Sequence, residues 1–210
     1  MPNDEGIISY AEIMKDISNR VIHTERCLSL WEEDNSRSLR LEEAALQVRM
    51  ICEATLLASF SLHSKVVDDL LSTLKKNDGW DKLRKVLEKE NPNYMPSPIS
   101  SVRTPTGVIQ IAHIEDKFIS GSELFKMWGK ASELLHCRNP LKTEFSAQEK
   151  ADEISAAIRR FKDVLHQHAI FIPCDGTLYM VNVVFSTGEP EVLWWTASQE
   201  SGSANQSIID

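Results

Sequence analysis

The sequence predicts a mainly α protein: a helical bundle carrying a short β-hairpin insertion and a small C-terminal antiparallel β-meander. Three observations predict it. Apolar residues recur at three- and four-residue intervals through most of the first 168 positions. The stretch NPNYMPSPISSVRTP holds four prolines and cannot continue a helix. Runs of β-branched and aromatic residues cluster after position 168. The expected organisation is a helical domain over 1–168 with the hairpin near 101–114. A meander over 169–198 packs on the helices, and a polar, disordered tail occupies 199–210.

In chain order, ISYAEIMKDISNRVIHTERCLSLWEE has helical spacing, with Ile13, Ile17, Val21 or Ile22, Cys27, Leu28 and Trp31 on one side. DNSRS breaks it. A second helix runs over about 39–62. KVVDDLLSTLKK is a short amphipathic segment closed by Asn77-Asp78-Gly79. WDKLRKVLEKE is another short helix, with Leu83 and Val86-Leu87 facing inward. Beyond the prolines, SSVRTPTGVIQIAHIED reads as a hairpin turning near Thr106-Gly107. Ser120 or Ser122 caps a helix that stops at Asn139-Pro140. Ser146, with Glu149 three residues on, opens the next through a capping box. AIFIPC, TLYMVNVVF and EVLWWTA form the meander, a unit too small to fold alone.

Composition narrows the function. Of the 210 residues, 42% are hydrophobic and 26% charged, as in ordinary globular proteins. The net charge of −8 counts against nonspecific nucleic-acid binding, which needs a broad basic surface. No membrane span or secretory signal is expected. Cys27, Cys52, Cys137 and Cys174 lie far apart with no CxxC pair, which suggests reduced thiols and a cytoplasmic location. No metal or cofactor is expected. His23 and Cys27 stand four residues apart, a spacing that suits a metal, but they lack a nearby second pair. His166 and His168 point to different faces. Trp194-Trp195 reads as core plus rim of the meander. There is no G-x-S-x-G, Walker loop or Rossmann glycine run.

The second helix raises a sharper question. AALQVRMICEATLLASF is apolar nearly all round, yet carries Arg49 and Glu53. At about 100° per residue, Ala45, Cys52, Leu56 and Phe60 lie within about 60° of Arg49. Glu53 lies on the same side, and the four-residue spacing lets the two charges meet. Such a pair is either a packing device or part of a site. In LLHCRNP, His136 ends a helix and Asn139-Pro140 stops it; a histidine there also suits the helix dipole. The expectation is that Arg49 and Glu53 tie their helix to this segment.

Three stretches carry a resemblance: LQVRMICEATLLASF, LEKENPNYMPSPI and ELLHCRNP. Over about residues 40–140 the chain resembles an uncharacterised group of bacterial helical proteins. These have an LQxRxxxExxxLAS helix followed by NPxYxPxP and LHxxNP. The resemblance supports the Arg49, Glu53, His136 and Asn139 constellation and names no reaction. A broader similarity is to HEPN-type helical bundles, many of them metal-independent ribonucleases of toxin or phage-defence systems. Their signature is an arginine, four to six residues, then a histidine. Arg160 to His166 fits that spacing, and Lys130 to His136 fits with lysine in place of arginine. The polar residue that usually follows the arginine is replaced by Phe161 and Ala131.

Two functional expectations follow. The first is a bacterial accessory protein that binds a protein partner, a second copy of itself or a small ligand. The second is a HEPN-like ribonuclease acting on RNA. In it His136 accepts the 2′-hydroxyl proton and Arg49, oriented by Glu53, holds the phosphorane. Asn139 donates to the substrate, Tyr94 stacks on a base, and Arg160 with His166 is the second candidate pair.

Overall fold

The computed structural model describes residues 4–34, 38–63, 79–135, 146–174, 176–196 and 205–209. Five α-helices lie among the described residues: α1 (Asp4–Glu33), α2 (Ser38–Leu62), α3 (Gly79–Glu90), α4 (Gly121–Leu135) and α5 (Ala147–Leu165). The six strands are β1 (Ser97–Arg103), β2 (Ile109–His113), β3 (Gln167–Ile172), β4 (Thr177–Val183), β5 (Pro190–Thr196) and β6 (Asn205–Ile209). The fold is mainly α, with helices, hairpin and meander in the expected order. The amphipathic segment expected over 65–76 lies outside the described residues.

α1 and α2 form a long antiparallel pair around Tyr10, Met14, Ile17 and Val21 of α1 and Ala44, Val48, Ile51 and Ala58 of α2. Small residues at 44, 54 and 58 keep the helix surface low, so neighbouring elements approach closely. α2 is the one described helix long and apolar enough to cross a membrane. The most apolar stretch within Leu39–Leu62 is 61% buried inside the protein, so core packing accounts for its apolarity. α4 crosses α2, and α5 packs on α1 and α2. Both later helices begin with the serine caps read from the sequence. The Ser120 hydroxyl accepts from the Glu123 amide at 3.2 Å while Glu123 accepts from the Ser120 amide at 2.9 Å. Ser146 accepts from the Glu149 amide at 3.2 Å. Each cap contributes about 1 kcal/mol.

The hairpin and the meander are not separate. β1 pairs antiparallel with β3 through Ser97↔Ala169 and Pro98↔His168, giving one antiparallel sheet in the order β2-β1-β3-β4-β5-β6. Gly107, at φ +84°, closes the β1–β2 turn where an L side chain would be strained. β6 also departs from expectation. Part of the segment read as a disordered tail pairs with β5, from Thr196↔Asn205 to Val192↔Ile209. Its residues, NQSII, are too polar to announce a strand, and the edge that β5 offers supplies the pairing.

Alternation along the strands sorts the two faces of the sheet. Ile170, Ile172, Tyr179, Val181, Val183, Val192 and Trp194 face the helices and join the main core. Ile99, Ala169, Met180 and Leu193 face away and form a second small cluster, against which Trp195 packs. Trp194 and Trp195 are thus core and rim, as their alternation implies.

Two buried polar links join helices to sheet. The Tyr10 hydroxyl of α1 meets Nε2 of His168 of β3 at 2.5 Å, and His168 Nδ1 lies 3.0 Å from the Leu165 carbonyl. That carbonyl only accepts, so Nδ1 carries the proton and Nε2 accepts from Tyr10. Burial lowers the His168 pKa from 6.5 to about 4 and holds the Tyr10 hydroxyl protonated well above its usual range. At the other link, the Asn91 amide group donates to His63 Nε2 at 3.0 Å and to the Phe171 carbonyl at 2.8 Å, and its oxygen accepts from the Asn93 amide at 3.0 Å. His63 Nδ1 donates to the Ser59 carbonyl at 2.6 Å. Asn91 therefore joins the ends of α2 and α3 to β3.

Candidate functional site

Arg49 and Glu53 do pair, with Arg49 Nε donating to Glu53 Oε1 at 3.0 Å. They are unequally buried. The Glu53 side chain is 13% exposed and that of Arg49 35%. Arg49 lays its stem along α2 and carries its guanidinium to the rim. There the guanidinium carbon sits 4.9 Å from the centre of the Trp128 ring of α4, a cation–π contact. Trp128 also donates its indole N–H to the same Glu53 Oε1 at 2.9 Å. Trp128 thus joins α2 to α4. His136 and Asn139, and with them the tie expected to that segment, lie outside the described residues.

This knot holds little space. The void enclosed by Cys52, Glu53, Phe125 and Trp128 measures about 10 Å³, room for at most one water. On its other side Glu53 borders a groove of about 410 Å³ shared with Glu12 and Asp16. Three carboxylates there oppose a phosphate. Tyr94 does not reach a ligand: it is 2% exposed, in the core. Its expected stacking on a base is therefore corrected. Its ring packs in the helical core, and a Cβ on Gly121 would overlap its hydroxyl.

Arg160 and His166 serve different contacts. Arg160 donates to the Phe118 carbonyl at 2.9 Å and the Asp116 carbonyl at 3.5 Å, so it anchors the short 3₁₀ turn before α4. His166 is the C-cap of α5, and its Nδ1 lies 3.2 Å from the Val183 carbonyl on β4. The six-residue separation turns His166 about 120° away from Arg160 around the helix axis.

Arg160 does line an apolar cleft of the helical layer. Between α4 and α5, floored by Val48 of α2, lies a space of about 440 Å³. Met127, Ala131, Leu134, Ile154 and Ala157 form its walls. Alanines at 131 and 157 leave room that larger side chains would fill. Its rim is charged. Lys130 donates to Glu153 at 2.9 Å, and Arg160 lies 3.7 Å from Glu123. Lys126, also on the rim, is exposed and makes no hydrogen bond or ion pair among the described residues. The volume falls within the range of small-molecule sites, and the apolar floor with few polar groups matches their usual lining. The sequence reading named Arg160, Lys130 and Ala131 of these residues, each for the arginine–histidine pattern and none for a cleft. The others read as ordinary amphipathic helix faces, because a cleft between two helices leaves no mark in either one.

Comparison with protein-family models, with curated proteins and with solved structures gave no match.

Proposed function

We propose that the protein is a noncatalytic accessory binding protein whose α4–α5 cleft takes a small amphiphile, an apolar body of about ten carbons ending in an anionic group. The observation that carries this reading is the cleft itself: about 440 Å³, apolar in its depth, with the exposed ammonium of Lys126 at its mouth near Glu123. Apolar walls reward burial of a chain at about 25 cal/mol per Å². Lys126 selects for negative charge at one end, while the paired Lys130–Glu153 and Arg160–Glu123 rims repel no net charge. The noncatalytic part rests on the same geometry. The candidate pair Arg160 and His166 is committed to main-chain carbonyls, and His166 does not line the cleft.

The test is calorimetric titration of decanoate into wild type, Ala157→Trp and Lys126→Glu. Wild type is expected to bind with a dissociation constant of order 10–100 μM, as a ligand of this size allows. Ala157→Trp, which fills the cleft, abolishes binding, and Lys126→Glu weakens it about tenfold. Absence of binding by wild type, or binding indifferent to Ala157→Trp, overturns the reading. Capture of a protein through the Ala157 face, with no response to decanoate, would replace the small ligand by a partner helix.

A further inference from the structure

α1 and α2 bring three unlike donor atoms to one point, away from the cleft. His23 and Cys27 stand one turn apart on α1, so their side chains share a face. The antiparallel α2 sets Glu43 against them. The ligating atoms of the three all lie within 4.8 Å of one another. His23 Nε2 is 2.8 Å from Glu43 Oε1 and 3.6 Å from Cys27 Sγ.

These separations are close to those a metal imposes. Tetrahedral Zn²⁺ with a sulfur at about 2.3 Å and a nitrogen at about 2.0 Å holds the two about 3.6 Å apart. His23 and Cys27 already stand at that distance. A nitrogen and a carboxylate oxygen would stand about 3.3 Å apart, so Glu43 would withdraw by about 0.5 Å, a small rotation of a flexible side chain. We propose that His23, Cys27 and Glu43 form a binding site for a borderline-soft divalent cation of the Zn²⁺ class, with the fourth coordination position open to solvent.

The surroundings fit that assignment. Arg40 donates to Glu43 Oε2 at 2.8 Å. It holds the carboxylate by the oxygen that does not face the other donors, the arrangement by which outer partners orient metal ligands. The Cys27 residue is buried, whereas the His23 and Glu43 side chains are 43% and 36% exposed, so an ion enters past them and a water completes its shell. Thiolate and carboxylate supply two negative charges against the two of the ion. Burial and the neighbouring Glu43 carboxylate push the Cys27 thiol up, and Arg40 and Arg26 offset only part of this, so the bound cation itself must displace the thiol proton. Binding releases the thiol proton to solvent. The nitrogen and sulfur donors exclude Ca²⁺ and Mg²⁺, which take oxygen.

Cobalt(II) is the probe, because a thiolate ligand gives it a charge-transfer band in the near ultraviolet. In the full chain carrying Cys137→Ser and Cys174→Ser, the one thiol besides Cys27 is Cys52, which is buried in the core. This protein is expected to bind one equivalent of Co²⁺ with that band, and Zn²⁺ is expected to displace it. Cys27→Ser abolishes the band, and His23→Gln and Glu43→Gln each weaken Co²⁺ binding about tenfold or more. If Cys27→Ser loses its helical circular dichroism, His23→Gln, at the exposed edge, carries the test instead. A His23–Glu43 contact that is only an interhelical hydrogen bond gives no charge-transfer band. That result, or a band that survives Cys27→Ser, or Co²⁺ affinity unchanged in His23→Gln, overturns the proposal.

Discussion

Trp128 donates its indole N–H to Glu53 at 2.9 Å, across the α2–α4 interface, onto the oxygen that Arg49 already holds. One carboxylate oxygen thus satisfies two donors, and the cation stacks on the ring of the second. Removing the acceptor leaves both without a partner. Glu53→Ala is expected to destabilise the protein by about 2–3 kcal/mol, below the full cost of breaking a buried pair because Arg49 reaches solvent. Arg49→Met, which keeps the stem against Trp128, is expected to cost less than about 1 kcal/mol. Urea midpoints for the two variants and their double mutant check the ordering.

His168 gives stability a pH dependence of its own. Burial lowers its folded pKa from 6.5 to about 4. The unfolded chain therefore takes up a proton first as the pH falls. The stability is fully present above about pH 6.5, is lost progressively toward pH 4, and levels below that. Between pH 7 and 4.5 the loss is expected to be about 2–3 kcal/mol. Urea unfolding of wild type and His168→Gln at both pH values isolates it, since the other titrating groups are common to both. Equal losses in the two proteins would remove His168 as the source.

Gly121 and Tyr94 form a steric pair. A Cβ at 121 would overlap the Tyr94 hydroxyl, which is buried with no hydrogen-bond partner among the described residues. Gly121→Ala is expected to cost about 2 kcal/mol. Tyr94→Phe is expected to be neutral or to stabilise by up to about 1 kcal/mol, and to recover most of the loss when combined with Gly121→Ala. Thermal melts of the four proteins in the cycle read the coupling directly.

Asn91 is expected to be among the least replaceable polar residues. Asn91→Ala leaves the Phe171 carbonyl, His63 Nε2 and the Asn93 amide without their partner, at a cost of about 3 kcal/mol. Amide hydrogen exchange should accelerate in β3 more than in α1, because Asn91 is bonded to β3.

The legible parts of the fold were those fixed locally. Ser146 and Glu149 announce a helix start, Gly107 a turn, and the runs AIFIPC, TLYMVNVVF and EVLWWTA the strands of a meander, each within a few residues of sequence. The pairing of β1 with β3 was not legible. It joins residues about 70 positions apart, and its register depends on how the helices between them pack. The candidate site divides the same way. The meeting of Arg49 and Glu53 follows from spacing along one helix. The acceptance of the Trp128 N–H by Glu53 depends on the α2–α4 crossing, and the approach of Glu43 to His23 and Cys27 depends on the α1–α2 register. The binding cleft was least legible of all, because it is defined by alanines, where side chains are small rather than where they are reactive.

The most direct test of the binding cleft is methyl NMR of the alanine, isoleucine and leucine groups during decanoate titration. Ala131, Leu134, Ile154 and Ala157 are expected to shift together and saturate with one dissociation constant, while Ile99 and Leu178 on the outer face of the sheet stay in place. Shifts centred on Leu178, beside the separate groove lined by Met95, Phe118 and Phe171, or no shifts at all, would contradict the cleft as the site.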